Sequence, residues 1–162
     1  MKTLTLLLSL LATPTFAAPF SPVGNWINLP DTCINVAQEG QAPSYQKDGV
    51  VFNADGTMAT IDVKYSDSTC TGTPTIVVDD TQTGKYEIVT TAGNIITLKI
   101  TMIKPAPGDG EPVSAIAALT STDGNTATLV PISAKILHAG AEADATPDEM
   151  KDNFGSITIT RI

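Results

Sequence analysis

Alternation of apolar and polar residues along most of the chain is the feature that most constrains its fold. Over residues 57–65, every second residue from Ala59 onward is apolar and the residues between are polar. Successive side chains of a β-strand point to opposite faces, so a period of two indicates a strand with one buried face. Residues 49–52 precede this strand across a turn that contains Asp55 and Gly56, a pair typical of a tight β-hairpin.

The same alternation recurs in the rest of the chain. Residues 85–90 and 95–102 are predicted to form a second hairpin, and residues 113–119 and 126–132 a third. Shorter strands are predicted at residues 24–29, 73–78, 133–137 and 156–162. Residues 104–112 and 139–145 have the Gly, Pro and Ala content of loops.

One short helix is predicted near residues 147–153. Thr146 can cap its first turn, Pro147 suits the first helical position, and Glu149 completes a capping box. The helix is expected to end before Gly155.

About eight to ten strands joined mostly by short turns predict an all-β, antiparallel fold, since each parallel crossover takes about a dozen residues or more. Closing such a sheet into an up-and-down barrel removes its exposed edges, which favours a single β-barrel. A β-sandwich is the alternative. The length of 162 residues supports one domain, which we place at residues 18–162.

Residues 1–17 have the sequence of a secretory signal peptide. Lys2 precedes a leucine-rich run, and Thr15 and Ala17 are the small residues that a signal peptidase requires. The run is far shorter than the about 20 apolar residues of a membrane-spanning helix. We therefore expect cleavage after Ala17, no membrane span, and an exported product in the periplasm or medium of a bacterium.

Cys33 and Cys70 are the two cysteines of the chain. An even number of cysteines in an oxidising compartment predicts a disulfide rather than a nucleophile or a metal site. Neither cysteine has a basic residue or a histidine beside it in the sequence to lower the pKa of its thiol.

The charge balance excludes one class of partner. Nine Lys and Arg residues against 17 Asp and Glu residues give a formal net charge of −8, and the basic residues are scattered. Nucleic-acid binding needs clustered basic residues, so no nucleic-acid partner is expected.

The start of the predicted mature chain resembles that of lipocalins and other calycin barrels. Gly24, Asn25 and Trp26 are similar to the G-x-W signature that opens the first strand in those families. There the Trp closes one end of the barrel, often beneath an Arg from near the last strand. The resemblance implies a lipocalin-like barrel in which Arg161 covers Trp26, a cation–π contact worth about 0.5 to 2 kcal/mol.

A second motif is similar to small exported bacterial lipocalin-like proteins of unassigned function. Tyr65, Asp67 and Cys70 form a Y-x-D-x-x-C pattern followed by Pro74, which also resembles part of the extracellular APCDD1 domain, a ligand-binding module. The resemblance implies a possible binding role for Tyr65 and Asp67. From the residues themselves, Tyr65 ends the inward-facing alternation of its strand and Asp67 can hold backbone N–H groups in a turn.

Residues that could carry out catalysis are sparse. His138 is the only histidine, which leaves neither a multi-histidine zinc site nor a Cys-His pair beside a disulfide, and the chain has no G-x-S-x-G motif. We interpret His138 as a solvated residue at a loop edge. No catalytic residue, metal or cofactor is predicted, and the chain is expected not to be an enzyme.

Two functions are favoured by the sequence over a third, an enzyme that would use a pair of carboxylates. The first is binding of a small apolar or amphipathic ligand, because a barrel of about eight strands can hold one such ligand. The alternative is a protein-interaction module, such as a secreted protease inhibitor that uses residues 18–22 as an extended N-terminal segment.

Overall fold

The structure is a computed structural model that describes residues 20–29, 33–104, 108–153 and 155–162. The predicted signal peptide, residues 1–17, lies outside the described residues, as do Ala18 and Pro19 of the predicted N-terminal segment.

The described residues form ten strands and one short helix, which starts at the predicted position. The elements in chain order are β1 (Gly24–Leu29), β2 (Ile34–Asn35), β3 (Tyr45–Phe52), β4 (Thr57–Tyr65), β5 (Thr75–Ala92), β6 (Ile95–Lys104), β7 (Pro112–Ser121), β8 (Thr126–His138), β9 (Ala141–Asp144), α1 (Pro147–Asn153) and β10 (Ile157–Arg161).

Eight of the strands close into an antiparallel barrel, which confirms the predicted fold class over the sandwich alternative. The strand order is β1-β10-β8-β7-β6-β5-β4-β3, and β1 pairs with β3 to complete the circle. The two short strands lie outside this circle, β2 beside β3 and β9 beside β8. Gly49 allows the closing contact, because a Cβ there would lie 2.2 Å from the carbonyl oxygen of Trp26.

The two ends of the barrel are built differently. The β3–β4, β5–β6 and β7–β8 hairpins turn at one end, where β1 begins and β10 finishes. We call this the closed end. Gly56 supplies the predicted positive φ, 83°, in the first of these turns. The longer connections, including residues 66–74 and 139–156, lie at the opposite end because successive strands are antiparallel; we call it the open end.

Apolar side chains fill the interior near the closed end. The cluster draws buried residues from seven of the barrel strands, and Met58 of β4 packs against it. Its buried members are Trp26, Phe52, Tyr86, Ile96, Leu98, Leu119, Ala127 and Ile159. Because all eight barrel strands contribute to this cluster, the face of each strand that carries its member is the inner face of the barrel. We call this cluster the inner core.

A second apolar cluster lies on the opposite face of β1, β3 and β4. Ile27 belongs to it although its neighbour Trp26 belongs to the inner core, and adjacent strand residues point to opposite faces. Its buried members are Ile27, Ile61, Val63, Tyr65 and Cys70, with Cys33, Tyr45 and Val51 packed against them. We call it the outer cluster. The alternation in β4 therefore has one buried face, as predicted, but that face lies outside the barrel wall.

Three segments differ from the sequence-based expectation. Residues 139–145 were expected to be a loop, yet they contain β9, which pairs with the extended end of β8. Residues 73–78 and 85–90 are predicted as separate strands, but residues 75–78 and 85–90 belong to the single strand β5, and the separately predicted residues 126–132 and 133–137 both belong to β8. The pairing of β4 and β5 shifts register between Ala59 and Thr60, so residues 80–82 are extra residues on β5. Local composition does not report such a bulge.

Candidate functional site

The residues predicted to close the barrel meet at the closed end. Trp26 is fully buried, and the guanidinium carbon of Arg161 lies 4.6 Å from the centroid of its ring. The two residues are also register partners in β1 and β10. An arginine above an indole face is a favourable cation–π arrangement, so this contact stabilises the junction of the two strands.

The described part of the N-terminal segment packs against the same junction. The indole N–H of Trp26 donates to the carbonyl of Pro22 at 2.7 Å, and Arg161 donates to the carbonyl of Ser21 at 2.7 Å. The ring of Phe20 meets the indole edge-on, with 6.0 Å between centroids. Residues 20–22 are therefore held by specific contacts rather than extended away from the barrel.

The predicted disulfide joins Cys33 to Cys70, with 5.8 Å between their Cα atoms, and this prediction is confirmed. Cys70 is buried in the outer cluster and Cys33 packs against that cluster. The bond therefore holds the segment after β1 and the segment after β4 against the outer face of the barrel.

Asp67 organises the turn that leads to Cys70. Its carboxylate accepts hydrogen bonds from the N–H groups of Thr69 at 3.0 Å, Thr71 at 3.3 Å and Gly72 at 3.1 Å, and from the Thr69 hydroxyl at 2.5 Å. The Thr69 hydroxyl and then the Thr71 N–H lower the pKa of Asp67 to about 2, because they favour the charged form. Tyr65 lies in the outer cluster. Tyr65 thus lies on the outer side of the wall and Asp67 in the connection after β4, and neither residue lines the cavities described next.

An apolar cavity opens on the inner face beyond the inner core. Its volume is about 240 Å³. Its lining residues come from β6, β7, β8 and β10 and the segments beside them: Ile100, Met102, Pro112, Ser114, Ala115, Ala117, Leu129, Pro131, Gly155 and Ile157. Ile100 and Met102 continue the inner face of β6 from Leu98 toward the open end. The small side chains of Ala115 and Ala117 leave the space that larger residues would fill.

A polar cavity of about 350 Å³ lies beside the other half of the wall. Its lining residues come from β1, β3, β4 and β5: Asn28, Gln46, Asp48, Gly49, Thr60, Ile61, Asp62, Asp79 and Gln82. Thr60 is the register partner of Val50, which packs against the inner core. Asp62 is the register partner of Asp48. These polar residues therefore occupy the inner face of β3 and β4, on the open side of the inner core.

Three carboxylates and three side-chain amides line the polar cavity, and Gln46 is the amide that contacts the carboxylates. The amide nitrogen of Gln46 donates to Asp48 at 3.0 Å and to Asp62 at 2.8 Å, and the ammonium of Lys64 lies 3.9 Å from Asp62. Asp79 accepts from the hydroxyl of Thr81 at 2.6 Å and from its N–H at 2.9 Å. The Thr81 hydroxyl, followed by its N–H, lowers the pKa of Asp79, so this carboxylate is charged at neutral pH.

Sequence reasoning missed both cavities. A signal for the polar cavity was present: Gln46, Asp48, Thr60 and Asp62 are polar residues two apart on paired strands. The prediction instead placed the more apolar face of β4 inward, with Thr60 and Asp62 on the other face, because the sequence does not show that the apolar face has its own cover.

The lone histidine pairs with the helix. The Nε2 atom of His138 lies 3.0 Å from the carboxylate of Glu149, which connects the end of β8 to α1. Within the described residues, no group of three His, Cys, Asp or Glu side chains is arranged to hold a metal ion. No helix in that part of the chain is long and apolar enough to cross a membrane.

The chain matches no protein-family model, no curated protein and no solved structure. Its likeness to lipocalin-like proteins thus stays a prediction from its motif residues.

Proposed function

We propose that this protein is an exported, non-enzymatic binding protein for a small apolar or amphipathic ligand. The observation that carries the proposal is the cavity of about 240 Å³ on the inner face of the barrel, lined almost entirely by apolar side chains. Small-molecule sites are typically concave and mostly apolar, with a few polar groups that orient the ligand.

The size of the cavity is sufficient for a small ligand. An apolar cavity of about 150 Å³ already binds benzene in water. Leaving apolar surface unfilled costs dispersion contacts, so a packed protein gains stability by filling such a space. The wall nevertheless includes the small side chains of Ala115 and Ala117, both buried, where larger side chains would fill the space. A space of this kind is expected where a ligand supplies the missing contacts.

The alternative, a protease inhibitor acting through residues 18–22, has less support. Phe20, Ser21 and Pro22 are engaged by Trp26 and Arg161, so insertion of this segment into a partner would first break those contacts. Export is supported by the disulfide, because such bonds persist in oxidising compartments.

The test is binding of the neutral fluorescent probe N-phenyl-1-naphthylamine to the disulfide-bonded chain of residues 18–162. We expect the probe to bind, and we expect the cavity-filling variant Ala117→Leu to weaken its binding at least ten-fold. The matched control is Ala118→Leu, the next residue of β7, whose side chain points to the other face. Circular dichroism establishes that both variants fold. Absence of probe binding, or equal binding by the two variants, would refute the proposal.

A further inference from the structure

We propose that the ligand is a cationic amphiphile, with an alkylammonium as the simplest case, whose head group is bound in the polar cavity. This inference rests on the proposed function and names the chemical class of its ligand. It follows from the division of the inner face into an apolar wall and an acidic wall.

The division follows the strands. The cavity beside β6, β7, β8 and β10 is lined by no charged side chain. The cavity beside β1, β3, β4 and β5 is lined by Asp48, Asp62 and Asp79 and by no cation. Both lie on the inner face and on the open side of the inner core. An eight-stranded barrel is just wide enough to hold one small ligand, so both walls face the same occupant.

The polar wall is rich in acceptors and carries more negative than positive charge. The amide N–H groups of Gln46 are already used by Asp48 and Asp62. Asp79 uses one carboxylate oxygen for Thr81, and its other oxygen accepts no bond from any described residue. Among the described residues, Lys64 forms an ion pair with Asp62 alone, which leaves the cavity with an excess of negative charge. A ligand that brings both donors and positive charge satisfies these acceptors.

An anionic amphiphile is disfavoured by the same groups. A fatty-acid carboxylate would lie against like charges without a free cation on the cavity wall, and like charges at close range repel. A neutral alcohol would make the same apolar contacts, but its head group would be neither attracted nor repelled by the charge of the carboxylates. The expected order of affinity is therefore ammonium, then alcohol, then carboxylate.

The experiment compares octylamine, 1-octanol and octanoate as competitors of N-phenyl-1-naphthylamine at pH 7 and low salt. The three share one chain and differ in the head group. We expect octylamine to displace the probe at a concentration at least ten-fold lower than octanoate, with octanol between them. Salt at 0.5 M should weaken octylamine binding and leave octanol binding unchanged, because salt screens charge.

A pair of double variants locates the effect. Asp48→Asn with Asp62→Asn removes two charges of the cavity at nearly constant size, and we expect octylamine and octanoate to become equal within about three-fold. Glu87→Gln with Glu142→Gln removes two exposed charges that do not line the cavity and should preserve the preference.

The outcomes separate the two proposals. If the three competitors displace the probe equally, or if the double variant of Asp48 and Asp62 keeps the full preference for octylamine, the head-group inference is wrong and the binding function stands. If the probe itself does not bind, the proposed function fails, and the inference fails with it.

Discussion

The closed and open ends of the barrel are formed by the same eight strands, but the interior is packed at one end and contains cavities at the other. At the closed end, tight turns bring together the inner core, with Trp26 and Leu98 fully buried. At the open end the inner face carries two cavities, and the long connections hold the disulfide and α1. The difference indicates that residues which fill the core and residues which line the cavities are separated along each strand. β6 shows this within five residues, from buried Leu98 to cavity-lining Met102.

The largest expected effect lies at the closed end. Trp26→Ala removes a fully buried indole together with its contacts to Arg161 and Pro22, and should lower the free energy of unfolding by about 3–5 kcal/mol. Urea denaturation measures it. The matched change at the open end is Met102→Ala, which lines the apolar cavity and is only half-buried. An equal loss in the free energy of unfolding for the two variants would show that the two ends do not differ in their contribution to stability.

Removal of the disulfide tests how far the open end contributes to stability. Cys33→Ser with Cys70→Ser frees a loop of 37 residues in the unfolded chain. The free energy of unfolding should fall by about 2–5 kcal/mol. Because the bond holds segments against the outer face, we expect probe binding by the folded variant to persist. A folded variant that no longer binds the probe would show that the outer cluster shapes the cavity.

Low pH should destabilise the fold by protonating the hydrogen-bonded carboxylates, and the largest contribution should come from Asp67. Its pKa is about 2 in the folded protein, below the ordinary value of 3.8. A lowered pKa means that the carboxylate stabilises the fold at pH values above about 4, and that this contribution is lost as the pH falls toward 2. The urea midpoint of Asp67→Asn should therefore be lower than that of the wild type at pH 7 and should change less between pH 4 and pH 2.

The control for this prediction is a closed-end turn. The N–H groups of Thr126 and then Asn125 lower the pKa of Asp123 in the β7–β8 turn. Asp123 accepts two such bonds, whereas Asp67 accepts four hydrogen bonds, so Asp123→Asn should have the smaller effect. The reverse order would mean that the closed end is the more acid-sensitive region.

The smallest effect is expected at the added strand β9. Lys135 and Asp144 form an ion pair at 2.6 Å that joins β8 to β9, but both side chains are substantially exposed. Exposed pairs typically contribute about 0–1 kcal/mol, so Lys135→Met should change the free energy of unfolding by less than about 1 kcal/mol. A larger loss would show that β9 belongs to the cooperative barrel.

The sequence predicted the antiparallel barrel, its closed-end hairpins, α1 and the disulfide because each has a local signature. Alternation identifies a strand, Asp55 and Gly56 identify a turn, and Thr146 with Glu149 identifies a helix start. The bulge in β5 and the short strand β9 have no such signature, because they depend on the partners that neighbouring strands provide.

The candidate site was less predictable for a similar reason. In β4 the more apolar face was taken as the interior, yet Ile61 and Val63 belong to the outer cluster and Thr60 and Asp62 line the polar cavity. Periodicity shows which face is buried but not what buries it. Cys33 and Cys70 are among the residues that cover this face. Cys33 is distant from β4 in the chain and Cys70 lies beyond its end, so the pattern within β4 does not reveal them.

Closure of the barrel by β1 and β10 has a consequence for the order in which the strand pairs form during folding. Arg161 and Ser21 are hydrogen-bonded across a separation of 140 residues, whereas each closed-end hairpin is local in the chain. Local pairs form quickly, and pairs between distant segments form slowly. The hairpins are therefore expected to form first, and the sheet remains open until its last strand, β10, pairs with β1.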